Sequence, residues 1–295
     1  MPIKLEISSA EKHEGDAVCI AYNNNHIFSG GADGKIKVWD NSLNLVKTLD
    51  MHESYIYSIA FNKSGKLYSS SCDGCVKYIN DPVNNEQIEE LVRCDDSINS
   101  MYCDGDLLYT GDEKGVVTKW ENDKMLFKYN IVEEVKSLAV EGTLIYTARD
   151  LDVVVSDAMP GKSGKYSTKA VFPGRAPLTL LGEMVENKRS YIAFTDRTGR
   201  GLVLAKNLTG EKFATIWELI DCHEMIINSI RGNEKFLFSA GYDGKIKCWS
   251  DIDKAKPTLV GESDAKNCIN SICLGTDGAV YAACSNGVIH KAVFS

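Results

Sequence analysis

No window of about 18 consecutive apolar residues occurs in the chain, so a membrane-spanning helix is not expected. The first residues, MPIKLEISSAEKHEGD, lack the apolar core of a secretory signal. These two absences lead to the expectation of a cytoplasmic or nuclear protein whose ten cysteines stay reduced. They also leave the Asn-x-Ser/Thr sequons at Asn62 and Asn207 without meaning for glycosylation. Positive charge is in short supply: the net charge is −8, which argues against general nucleic-acid binding, since that needs a cationic surface. Only five histidines are present, and neither G-x-S-x-G nor H-E-x-x-H occurs, so the common hydrolase constellations are missing. No long segment carries a helical apolar stripe, which points away from helical folds.

What is present repeats. Residues 29–40 read SGGADGKIKVWD, residues 69–80 SSSCDGCVKYIN and residues 239–250 SAGYDGKIKCWS. Weaker copies are TGDEKGVVTKWE at 110–121, TARDLDVVVSDA at 147–158, TDRTGRGLVLAK at 195–206 and AACSNGVIHKAV at 282–293. Aligning the turn residues Gly34, Gly74, Gly115, Asp152, Gly201, Gly244 and Gly287 gives spacings of 40, 41, 37, 49, 43 and 43 residues. Such a period belongs to propeller repeats. Each unit reads as four short strands, with Asp-Gly as the hairpin signal between the second and third, because glycine tolerates positive φ. The expected fold is therefore all-β, a single domain over residues 1–295. Its seven units lie at approximately 10–50, 51–91, 92–130, 131–172, 173–220, 221–261 and 262–295. The last unit stops after its third strand, and PIKLEIS at 2–8 is expected to supply the missing fourth.

Two units share a more specific pattern. His13, Ser29, Asp33 and Trp39 are separated by 16, 4 and 6 residues, and so are His223, Ser239, Asp243 and Trp249. On these residues and the repeat period, the chain resembles the WD40 repeat family over essentially its full length. The resemblance implies a seven-bladed β-propeller in which each tetrad hydrogen-bonds across one blade. The second unit departs from the pattern with Ile79 in place of Trp, and the third has Lys114 in place of Asp. Units four and five have neither His nor Trp in place, and the 49-residue spacing puts an insertion there.

Several catalytic leads dissolve against this frame. Cys72 and Cys75 have C-x-x-C spacing, but they flank a repeat turn and no second metal-ligating pair accompanies them. The three His-Glu pairs, at His13, His52 and His223, mark repeat starts. GKS at 161–163 lacks the rest of a phosphate-loop pattern. No catalytic residue, cofactor or metal is expected.

The resemblance instead implies protein or peptide partners at the channel mouth, contacted by residues before the turn and beside the first strand. The pre-turn positions are Ala32, Cys72, Glu113, Tyr242 and, in the fourth unit, Arg149. The first-strand positions are Cys19, Tyr57, Asn99, Lys136, Leu178, Asn228 and Asn270. Asn99, Asn228 and Asn270 sit in INS tripeptides, read either as a polar collar for a peptide or as groups satisfying the ring's own backbone. Tyr55, Tyr57 and Tyr242 are candidate aromatic anchors. Charge adds a second candidate surface. Residues 84–134 hold 13 acidic and 5 basic residues, whereas 160–212 hold 10 basic and 4 acidic. The cations around the fifth unit, Lys162, Arg197 and Arg200 among them, could dock an acidic or phosphorylated segment. The expected function is a non-catalytic scaffold within a multiprotein complex. Alternatives are a ubiquitin-ligase substrate receptor, against which stands the lack of a Trp-Asp-x-Arg motif, a reader of histone or other peptide tails and, remotely, a propeller hydrolase.

Overall fold

The structure, a computed structural model, describes residues 3–131, 133–159, 164–207, 213–276 and 278–294. Pro2, Lys162 and the GKS segment lie outside the described residues. Among those described, 28 strands form seven separate four-stranded antiparallel sheets. Six sheets use four strands in sequence order, beginning with Ala17–Asn23, His26–Gly31, Lys35–Trp39 and Leu45–Asp50 in blade 1. The seventh joins Ile269–Leu274, Ala279–Cys284 and Ile289–Phe294 to the N-terminal strand Ile3–Ser8, with Ser8 opposite His290. Both chain ends thus share one blade, and the ring closes on backbone hydrogen bonds.

The burial pattern follows from this arrangement. A blade has neighbours on both faces, so its inner strands bury both alternating sets of side chains. Leu67–Ser71 and Ala279–Cys284 are buried at every position. The outermost strands face water and alternate, as in Leu45–Asp50. The core is consequently a set of inter-blade layers. In one, Phe28, Ile36 and Val38 of blade 1 meet Ile56, Leu67 and Ile79 of blade 2. Each such aliphatic or aromatic side chain contributes roughly 1.5–3 kcal/mol through burial.

Blades 4 and 5 differ from expectation in detail. Both are complete four-stranded sheets. Much of the long spacing between them lies in strand: the outer strand of blade 4 runs Tyr166–Pro173 and the inner strand of blade 5 runs Arg175–Val185. The turn alignment also shifts. In blade 5 the glycine at positive φ is Gly199 (φ 76°), not Gly201. Gly201 is still confined to glycine, because a Cβ there would stand 2.4 Å from an Asp196 carboxylate oxygen. In blade 4, Asp152 opens the third strand rather than occupying the turn.

Candidate interaction surface at the channel mouth

The turns bordering the mouth are held by the expected tetrads. His13 bonds Asp33 through Nδ1 (2.9 Å) and Ser29 through Nε2 (2.8 Å), and the Trp39 indole N–H donates to Ser29 Oγ (2.9 Å). His223, Asp243, Ser239 and Trp249 repeat this with distances of 2.8, 2.8 and 2.9 Å. One protonation pattern satisfies every atom: the indole donates to Ser, Ser donates to Nε2, and Nδ1–H donates to Asp. Asp33 also accepts the backbone N–H groups of Glu14 and Lys35, which pins the turn. In blade 2, His52 reaches Asp73 and Ser69, and buried Ile79 contributes no N–H. Blade 3 keeps a fragment, with Trp120 donating to Thr110 Oγ1 at 3.1 Å. Burial lowers the pKa of His13 and His52. Burial also opposes ionisation of Asp33, but its interaction with His13 and the hydrogen bonds donated to it outweigh this and leave the carboxyl below its ordinary value.

Tyr57, Asn99, Asn228 and Asn270 reach the mouth through a shared backbone device. In five blades the register slips by one residue near the start of the inner strand. The extra residues are Val18, Tyr57, Asn99, Asn228 and Asn270. Such a bulge leaves a residue unpaired and re-aims its side chain. The blade 1 member is therefore Val18 rather than Cys19, which is buried between blades. Leu178 is likewise buried, in the layer shared by blades 4 and 5. Within its blade, two residues, Ala176 and Pro177, fill the slip.

The three asparagine amides bind the ring to itself. Asn228 donates to Ile269 O of the next blade (2.9 Å), Asn270 to Ala17 O across the closure (2.9 Å), and Asn99 to Glu134 (2.8 Å). The candidate cations are also engaged. Lys136 pairs with Asp150 (2.5 Å) and Glu134 (3.6 Å). Arg149 donates to Ile131 O and pairs with Glu133. Arg197 donates to Leu151 O and Asp152, both of blade 4, while Arg200 pairs with Asp221. Lys169 of the same region pairs with Asp157.

Two features remain open to a partner. The first is a 460 Å³ pocket lined by Tyr57, Ser97, Asn99, Glu113, Glu134 and Lys136. Glu113 is exposed and forms no ion pair among the described residues. The second is an apolar rim: Tyr242 is 52% exposed, Met225 51% and Ile226 40%. Tyr242 N–H bonds Ile226 O, so these side chains share one edge. The Tyr55 and Tyr57 rings lie 5.4 Å apart nearby. Burial, then the charge of Asp16, pushes Tyr55 up to about 12. Met225 and Ile226 were missed by the sequence reading. Their signal was two apolar residues directly before the INSI tetrapeptide, outside the strand alternation. Of the C-x-x-C pair, Cys72 is exposed and Cys75 buried, and both are free thiols.

Comparison with known proteins follows these lines. The family described as "WD domain, G-beta repeat" matches residues 6–40, 43–80 and 214–250, the three blades with His–Ser–Asp sets. A Medicago truncatula protein named "Putative E3 ubiquitin-protein ligase LIN" is 22% identical over 306 residues, covering 97% of this chain and 19% of the relative. The chain thus spans about a fifth of that relative's length. Two solved structures share the fold: "Structure of U3-55K" (TM-score 0.81, 13% identity, 98% of each chain) and "Crystal structure of WD40 beta propeller domain of Doa1" (TM-score 0.77, 13% identity, 99% of this chain and 98% of that one).

Proposed function

We propose, from the premise that this chain is a seven-bladed WD40-repeat β-propeller, that it is a non-catalytic scaffold that holds a peptide segment of a partner protein at the channel mouth. The observation that carries this reading is the coincidence of an exposed apolar rim, Met225, Ile226 and Tyr242, with a carboxylate-bearing pocket at Glu113 and Glu134. Such a surface suits a segment with one apolar anchor and one basic side chain. Aromatic anchors supply most of the affinity at such sites, and charge complementarity mainly sets orientation and rate. A fold alone does not determine a function, so the partner has to come from the site.

Any enzymatic outcome then belongs to the partner. Ubiquitin transfer is one setting for it, favoured by the similarity to a relative named as a ubiquitin ligase. Reading a basic histone-like tail is compatible with the same pocket. The basic fifth unit is the second candidate surface, for an acidic or phosphorylated segment. Its Arg197 and Arg200 already hold carboxylates, which weakens it as the principal site. A cytoplasmic or nuclear location accords with ten free cysteines.

The test is affinity capture from a native extract with three folded baits: wild type, Tyr57→Ala/Tyr242→Ala, and Arg197→Glu/Arg200→Glu. The mouth reading expects a partner lost from the tyrosine double variant and kept by the charge-reversed one. The opposite pattern would move the site to the fifth unit. Retention of every partner by both would sink both assignments.

A further inference from the structure

The seven inner strands enclose a central channel with a cavity volume of 780 Å³. In a chain of net charge −8, none of the described residues lining it is Asp or Glu. Three cations do line it: Lys136, Arg175 and Arg231. Lys136 is neutralised by Asp150 and Glu134 at the mouth. Arg175 and Arg231 form no ion pair among the described residues.

Arg231 is the unusual one. It lies four residues past Ile227, where its strand begins, so it sits roughly 13 Å down the channel at about 3.3 Å per residue. Its Nη1 donates to the neighbouring Ile230 O at 2.8 Å, and its other guanidinium N–H groups have no protein acceptor among the described residues. Burial pulls its pKa below the ordinary value, and the charged or titratable groups that act on it are Cys273 and Tyr102. The side chain is only partly buried, so its unpartnered N–H groups are open to the channel, and arginine keeps its charge there because it does not lose its proton.

Strand register explains how the site is built. Arg231 is opposite Phe238, and the equivalent inner-strand positions include Ala21, Ala60 and Ala139, whose small side chains leave space across the channel. Two residues earlier along each strand the same register places Ser58, Ser100, Ser137, Ser229 and Ser271. Ser137 Oγ accepts Leu178 N–H, and Ser229 Oγ accepts Ile272 N–H. Each of these hydroxyls therefore keeps its own hydrogen to donate. A planar cationic fork lies below a collar of hydroxyl donors, and no lining acid competes for either.

We propose that the channel binds a small phosphate-bearing anion on Arg231, with Arg175 as the cation at its mouth. Arginine forks match phosphate oxygens in pairs, and the serine hydroxyls suit the remaining oxygens. The cavity is many times the roughly 30 Å³ that one water occupies, so a phosphate group fits. The ligand would brace the ring from inside, independently of any protein partner at the mouth.

The experiment is calorimetric titration and thermal unfolding of the full chain with sodium phosphate and, separately, inositol hexakisphosphate, with sodium chloride at matched ionic strength. Wild type is expected to bind saturably and gain unfolding temperature. Arg231→Gln is expected to bind about tenfold more weakly or worse, the scale of one lost charge-assisted contact. Should Arg231→Gln fail to fold by circular dichroism, Ala21→Asp supplies a counter-charge at the same level and is expected to abolish binding. Saturation by inorganic phosphate would identify the free ion as sufficient. Saturation only by the inositol compound would identify a polyphosphorylated ligand. No saturable binding by wild type, equal binding by a folded variant, or equal stabilisation by chloride would overturn the proposal.

Discussion

Ser29 and Ser239 are fully buried, and each links an indole N–H to an imidazole nitrogen. Replacing Ser29 by Ala would strand two polar groups in the interior, Trp39 Nε1–H and His13 Nε2. At roughly 1–3 kcal/mol for each unsatisfied group, the expected loss is about 2–6 kcal/mol. Ser69→Ala strands only His52 Nε2, because Ile79 replaces the tryptophan, and should cost about half as much. Urea unfolding of the two variants makes the comparison. Equal losses would mean that the indole bond adds nothing. The tetrads were legible because their members stand at fixed separations within one repeat. The amide links of Asn228 and Asn270 were not, since each acceptor is a backbone carbonyl of the next blade, whose identity depends on how blades dock. The same docking buries the sequon Asn207, which accepts from Tyr146 at 2.7 Å, whereas the sequon Asn62 is buried within its own turn, where it accepts Lys66 N–H.

At the level of elements, the closing strand and the bulges matter most. Ile3–Ser8 covers the edge of Ile289–Phe294, Ser9 exchanges bonds with Ile289 through both N–H and Oγ, and His290 lies between Ser8 and Ser263 of blade 6. Deletion of residues 1–9 removes these bonds and uncovers a hydrogen-bonding edge. The expected result is a loss of roughly 3 kcal/mol or more and a broader thermal transition. A synthetic peptide of residues 1–9 should restore part of the unfolding temperature. An unchanged transition after deletion would show that the closure is dispensable. The bulges supply the lesson about register. From sequence, Cys19 stood with Tyr57 and Asn99, but a one-residue slip sends alternate side chains to opposite faces. Only the pairing of Cys19 with Gly30 and Ser58 with Ser70 shows that Val18 is the true counterpart of Tyr57.

Across the whole molecule, buried titratable groups give stability a definite pH dependence. His13, His52 and His290 have pKa values lowered from 6.5, chiefly by burial. The unfolded chain therefore binds more protons than the folded one as pH falls below 6.5. Stability should be full above that value and decline through pH 6 toward 5. Asp33, Asp73 and Asp243 add a second loss below their ordinary 3.8, since burial is outweighed in each by hydrogen bonds and the paired histidine. Glu141 acts in the opposite sense: burial raises its pKa, so its protonation favours the fold. The urea midpoint is expected to fall between pH 7.5 and 5.5, and a flat profile would contradict the histidine assignment. Charge asymmetry is also partly resolved at this scale. Arg197 of the basic segment pairs with Asp152 of blade 4, so this cation is neutralised across a blade boundary, and Arg149 pairs with Glu133 of the acidic segment.

Repeat period, turn chemistry and tetrad spacing determined the seven-bladed ring and its closure, because each is a local pattern that recurs along the chain. The tertiary structure alone decided which side chains are free. Whether Asn228 is a ligand or a staple, whether Arg197 is an open cation or one arm of an ion pair, and whether Arg231 meets a carboxylate depend on residues some 40 positions or more away, brought together by blade packing. Those contacts have no periodicity of their own. They follow from register and docking, which a single-residue bulge is enough to change.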